Sequence, residues 1–175
     1  MRSLRTVSLL LLLGPLTGCA TSLFLPPKPA PAEVRQAALE EATRYIGMAY
    51  EWGGQELRPR GIDCSGLVVN AYAAAAASHG YALLFSDATA SDMAERYVFP
   101  VAVPQPGDLV FMGEPGGSEI SHVAIYDSPA EGGRMWIVDS TQIPSLGIDG
   151  VTRRLERTDD GWLRSYGRMA LRPAL

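Results

Sequence analysis

Asp63-Cys64-Ser65-Gly66-Leu67-Val68 is the stretch on which the reading of this chain turns. Cys64 is followed by Leu67, Val68, Ala71 and Tyr72, an apolar stripe at helical spacing that continues from Ala73 to Ala77. Asp63 is a good helix N-cap, and Gly80 stands where a left-handed C-terminal cap is usual. The pattern predicts a helix of roughly four turns with the thiol in its first turn. There the unpaired backbone N–H groups and the helix dipole favour thiolate over thiol. The same N–H groups can hold an oxyanion. A free cysteine more often packs as a small buried apolar residue. A polar Asp-Cys-Ser at a helix entry points instead to a nucleophile.

A thiol nucleophile needs a base, and the chain has two histidines. His79 falls in Ser78-His79-Gly80, at the predicted end of the Cys64 helix. That is roughly 22 Å along the axis from the thiol, too far for a hydrogen bond. His122 lies in Ile120-Ser121-His122-Val123-Ala124-Ile125-Tyr126, an alternating run that reads as a strand. His122, Ala124 and Tyr126 share one face of it and Val123 and Ile125 the other. Elimination leaves His122 as the imidazole for Cys64. A third group should orient the ring, and Asp139 is the ionisable residue that closes the apolar run Met135-Trp136-Ile137-Val138. The plainer reading of Asp139 is a turn residue at a strand end.

The chain has 175 residues, enough for one domain with a real core. Residues 1–18 read as a lipoprotein signal peptide: Arg2 and Arg5, an apolar stretch from Val7 to Leu13, then Leu16-Thr17-Gly18-Cys19, which resembles a lipobox. That resemblance implies cleavage before Cys19 and acylation of its side chain and new N-terminus, an anchor of several acyl chains. Of two cysteines, one is then assigned to lipid and Cys64 has no disulfide partner. An unpaired thiol in an oxidising compartment calls for a reason, and catalysis supplies one. The absence of CxxC and HExxH argues against a metal site, and no cofactor is expected. The net charge of −4 at pH 7 provides no basic surface for nucleic acid.

Residues 19–32 carry Pro26, Pro27, Pro29 and Pro31 and read as a semi-rigid tether. Residues 33–175 form the expected catalytic domain. A helix over Val34 to Tyr45 ends at Gly47; Tyr50 to Gly61 is a loop; a short helix spans Ser91 to Arg96. Strand-like runs follow at Asp108 to Met112, His122 to Tyr126, Met135 to Asp139, Val151 to Leu155 and Tyr166 to Leu171. Helices first and strands afterwards predict an α+β fold with an antiparallel sheet.

Four segments, Tyr50-Glu51-Trp52-Gly53-Gly54, Asp63-Cys64-Ser65-Gly66-Leu67-Val68, Pro106-Gly107-Asp108-Leu109-Val110-Phe111 and His122-Val123-Ala124-Ile125-Tyr126, occur in an order that resembles the NlpC/P60 family of cell-wall peptidases. The resemblance runs roughly from Ala37 to Ala170. It implies a papain-like core, with the nucleophile helix packed on an antiparallel sheet. It also implies hydrolysis of amide bonds in peptidoglycan stem peptides, commonly between D-glutamate and a diamino acid. It gives Tyr50 a place beside the thiol, and Asp63 and Ser65 a part in recognising the stem peptide. Loop packing for Tyr50 and helix capping for Asp63 and Ser65 are the plainer readings. An ungapped match to the family puts Val138, not Asp139, at the third position. Two other functions stand beside the hydrolase: a non-catalytic lipoprotein that binds peptidoglycan or a protein partner, and a cysteine acyltransferase or amidase with a different substrate. The expected location is the cell envelope, on the lipid at Cys19 and at the periplasmic face of an outer membrane if the cell is Gram-negative.

Overall fold

The computed structural model describes residues 25–54 and 61–174. These form three α-helices, a short 3-10 turn (Pro144–Leu146) and eight strands, the α+β arrangement expected. Helix α1 (Ala32–Arg44) buries Val34, Ala38, Leu39 and Ala42, one stripe at helical spacing. Helix α2 (Cys64–Ser78) buries Leu67, Val68, Val69, Ala71, Tyr72, Ala75 and Ala76. The small residues between Ala71 and Ala77 let α1 pack closely along it. His79 closes α2, its Nδ1 2.8 Å from the Ala75 carbonyl, which fills an orphan acceptor at the helix end. Helix α3 (Ala90–Arg96) is capped by Thr89.

The strands are β1 (Lys28–Pro29), β2 (Tyr81–Leu83), β3 (Val98–Val101), β4 (Leu109–Met112), β5 (His122–Ala130), β6 (Arg134–Ile143), β7 (Ile148–Arg157) and β8 (Leu163–Pro173). Their main order is β1-β8-β4-β5-β6-β7, with β2 and β3 also on β8, and every pairing is antiparallel. One face packs on the helices through Leu109, Phe111, Val123, Ile125, Val138, Val151 and Met169. The other carries a smaller cluster, with Val110, Met112, Ala124, Tyr126 and Ile137. Phe111 is fully buried, which is worth about 1.5–3 kcal/mol for a side chain of its kind.

Strands β1, β2 and β3 differ from the expectation. They are short, two of them contain proline, and none shows the alternation that marks a strand. Their pairing comes from β8, which is 11 residues long and accepts all three. Pro29 and Pro100 suit such short border strands, where a missing N–H costs little. Residues 28–30, expected within the tether, are thus part of the folded body. Ala30 is buried and donates its N–H to the Met169 carbonyl at 2.8 Å. The signal peptide, Cys19 and the start of the tether lie outside the described residues. No described helix is long and apolar enough to cross a membrane.

A buried ionic junction ties these layers together. Asp108 is fully buried, and Arg168 from β8 donates to its two oxygens at 2.8 and 2.7 Å. The Arg35 guanidinium from α1 stands 3.6 Å away, and the Gln105 N–H donates at 2.8 Å. Beside it, the Tyr72 hydroxyl donates to the Gly107 carbonyl at 2.5 Å.

Candidate active site

Cys64 opens α2, held there by the residue before it. Asp63 Oδ1 accepts from the Gly66 N–H at 2.7 Å and from the Ser65 hydroxyl at 2.9 Å. Its Oδ2 accepts from the Gly53 N–H at 3.0 Å. One carboxylate therefore caps the helix and pins the glycine loop to it. The Asp63 N–H returns a bond to the Gly54 carbonyl at 3.0 Å. A Cβ on Gly66 would come 2.4 Å from that same carbonyl oxygen, so glycine is what lets the first helical turn lie against the loop. Tyr50, half-buried in this loop, has its hydroxyl pKa raised by burial and then by the charges of Cys64 and Asp63.

The sheet brings up the imidazole. His122 opens β5 opposite Met112 of β4. The Ser140 hydroxyl donates to the Ile62 carbonyl at 2.6 Å, fastening the segment ahead of Cys64 to β6 beside Asp139. Asp139 Oδ2 lies 2.9 Å from His122 Nε2, with the Asp139 side chain 0% and the His122 side chain 20% exposed. The Cys64 side chain lies near enough to the same ring to help raise its pKa. With Nε2 on the carboxylate, Nδ1 is left for the sulfur. The structure thus brings Cys64, His122 and Asp139 into one line. Val138, at the position an ungapped match selects, points the other way, into the fully buried helix-side core.

The electrostatics follow from this line. Burial alone would push the His122 pKa down, but the hydrogen bond to Asp139, the neighbouring Cys64 side chain and the charges of both carry it up to about 10. Burial alone would raise Asp139; the His122 hydrogen bond and the charge of Arg154 instead hold it below its ordinary range.

Sequence reasoning missed Arg154. It sits on β7, with Nη2 2.8 Å and Nε 3.2 Å from Asp139 Oδ2. Its Nη1 donates to Glu156. The signal was partly present: Thr152, Arg154 and Glu156 alternate along a strand and share a face. Only the β6–β7 register, which sets Asp139 opposite Thr152 and Ile137 opposite Arg154, shows that this face is the one bearing Asp139.

The sequence profile of the NlpC/P60 family matches residues 47–155. A Listeria innocua protein named "Probable endopeptidase p60" is 36% identical over 90 residues, a segment that is 51% of this chain and 17% of that protein. "Dipeptidyl-peptidase 6" of Lysinibacillus sphaericus is 35% identical over 92 residues, 53% of this chain and 29% of that protein. The chain therefore spans less than a third of the length of these relatives. Among solved structures, the NlpC/p60 domain of the peptidoglycan hydrolase SagA superposes with a TM-score of 0.51 at 25% identity, covering 77% of this chain and 98% of that one. A Staphylococcus aureus protein described as similar to a lipoprotein of the NLP/P60 family gives a TM-score of 0.55 at 27% identity, covering 82% of this chain and 43% of that one. With the profile spanning more than half its length, and the fold shared, the chain belongs to the NlpC/P60 family.

Proposed function

We propose that the chain is a cysteine peptidase of the bacterial cell envelope that hydrolyses amide bonds in peptidoglycan stem peptides, between D-glutamate and the diamino acid. Cys64 is the nucleophile, His122 the general acid and base, and Asp139 the group that orients the ring. The observation that carries this reading is the placement of His122 between the Cys64 thiol and Asp139.

The chemistry then runs in two halves. The Cys64 sulfur attacks the scissile carbonyl, and the C–S bond forms as a tetrahedral oxyanion develops. Of the first-turn amides, Gly66 is taken by the Asp63 carboxylate and Leu67 by the Asp63 carbonyl, which leaves those of Cys64 and Ser65 for the oxyanion. As the C–N bond breaks, the imidazolium gives its proton to the leaving amine. Neutral His122 next takes a proton from water, the hydroxide adds to the thioester, and C–S cleavage returns the thiolate. Tyr50, Asp63 and Ser65 line the approach to the sulfur; Asp63 and Ser65 serve as cap and recognition groups together. The direct test is mass spectrometry of purified tri- and tetrapeptide stems after incubation with residues 20–175. Release of the N-terminal dipeptide supports the reading. Turnover of a simple thioester-forming ester with intact stems would favour an acyltransferase, and binding with neither would favour a non-catalytic wall binder.

The signal at 1–18, lipid on Cys19 and a tether joining it to the domain belong to the same proposal. The lipobox wording and the lipoprotein-like Staphylococcus relative support it. Cys19→Ala is expected to move the protein from the membrane to the soluble fraction on cell fractionation; continued sedimentation with membranes would count against the lipid.

The Asp139 role makes a prediction about pH. His122 has its folded pKa, about 10, above its unfolded value of 6.5. The ion-pair contribution to stability is therefore complete below 6.5 and is lost as pH rises through 10. Activity that needs the imidazolium should fall over the same alkaline range. Asp139→Ala is expected to cut kcat/KM by about 10²–10⁴-fold, as loss of an orienting group does, and to move the alkaline limb down towards neutrality. An unmoved limb in a pH–rate profile would mean that another group holds the ring.

A further inference from the structure

We infer that Arg154 is a positioning residue for the His122–Asp139 pair, an extension that rests on the catalytic reading above. A carboxylate hydrogen-bonded only to an imidazole can rotate about its Cβ–Cγ bond and swing its oxygens out of the ring plane. Here rotation is opposed from the far side. Arg154 Nε approaches both oxygens, at 3.3 Å from Oδ1 and 3.2 Å from Oδ2, while Nη2 reaches Oδ2 at 2.8 Å. Oδ2, the oxygen that faces His122 Nε2, is therefore gripped from two directions. The guanidinium cannot readily tilt either, because its remaining nitrogen is bound to Glu156. Asp139 is wholly buried, Arg154 is 16% exposed and Glu156 14%, so water competes weakly for these bonds. The planar, rigid fork of arginine suits this task; a lysine ammonium would supply charge without direction.

The line from β7 to α2 thus reads Glu156, Arg154, Asp139, His122, Cys64. Among the described residues, the charged or titratable groups around Asp139 are His122 from β5 and Arg154 and Glu156 from β7. Cys64 stands across the imidazole, with Tyr50 and Asp63 beyond it. Arg154 also places a permanent cation on Asp139, which helps keep the carboxylate ionised when the solution becomes acidic.

The test compares Arg154→Met, Arg154→Lys and Glu156→Gln in the otherwise intact protein. One readout needs no turnover: the proton resonance of His122 Nε2–H, which lies far downfield while that proton is held by a carboxylate. Arg154→Met is expected to shift or broaden it. It should also lower kcat about 10- to 100-fold, the loss seen when the group that orients a metal-ligating histidine is removed, taken here as the analogue. KM should stay within about twofold, because Arg154 acts through Asp139, which stands between it and the imidazole. The acid limb of kcat should move to higher pH. Arg154→Lys should restore the acid limb but only part of kcat, separating charge from direction. A folded Arg154→Met with an unmoved resonance, kcat and acid limb would overturn the inference and leave Arg154 a structural ion pair. If Arg154→Met does not fold, unchanged resonance and kcat in Arg154→Lys and Glu156→Gln would overturn it equally. Intact stem peptides in the wild-type reaction would instead defeat the peptidase reading, and the resonance would still decide the positioning role.

Discussion

Cys64→Ala is expected to fold as the wild type does and to lose stem-peptide hydrolysis by at least about 10⁴-fold, in the range seen when the nucleophile of a coupled catalytic group is removed. The fold should survive because the cap of α2 is made by Asp63, through Gly66 and Gly53, and not by the thiol. The apolar stripe that buries the helix begins beyond the cysteine, at Leu67 and Val68. Circular dichroism and a thermal melt establish the fold; liquid chromatography of the cleaved peptide measures the rate. Residual activity within tenfold of wild type would remove Cys64 from the chemistry altogether.

Asp108→Ala should have the largest effect on stability. Asp108 has no solvent exposure and meets Arg168 and the backbone of Gln105 directly, with Arg35 close by. Truncating it strands guanidinium charge inside the junction of α1, β4 and β8. Breaking one partner of a buried pair costs about 3–5 kcal/mol. For a chain of this size that is a fall in Tm on the order of 10 °C. Arg44→Ala, which breaks an exposed helical pair with Glu41, is the control, and its effect should stay within about 0.5 kcal/mol. Equal melting shifts in the two variants would show that the junction carries no special load.

The two substitutions also show what the sequence could and could not disclose. Cys64 was readable because helix caps and apolar spacing are local: Asp63 before it and Gly80 after it mark the ends of α2. His122 was readable because its strand alternates and because few histidines compete with it. Asp139 was harder, since an ungapped match to the family wording selects Val138 beside it instead. The strand geometry separates them, one facing the helices and the other the imidazole. Arg154 and the buried role of Asp108 depend on which strands pair and in which register. Such long-range pairing has no signature at either residue. Strands β1 and β3 were hidden for the same reason: Lys28–Pro29 and Val98–Val101 become strands because β8 is there to receive them.

The docking of β1 on β8 has a mechanical side. Met112 pairs with both His122 and Leu163, so the imidazole stands level with the first residues of β8. Lys28 and Pro29 pair with Leu171 and Ala170, near the opposite end of that strand. At about 3.3 Å per residue the two levels are roughly 25 Å apart. Because β1 runs antiparallel to β8, the chain before Lys28 heads further from the imidazole. Any tension on the upstream segment is therefore delivered at the pole opposite His122, along the strand axis. An anchor at Cys19, as proposed, would pull on the end of β8 farther from His122.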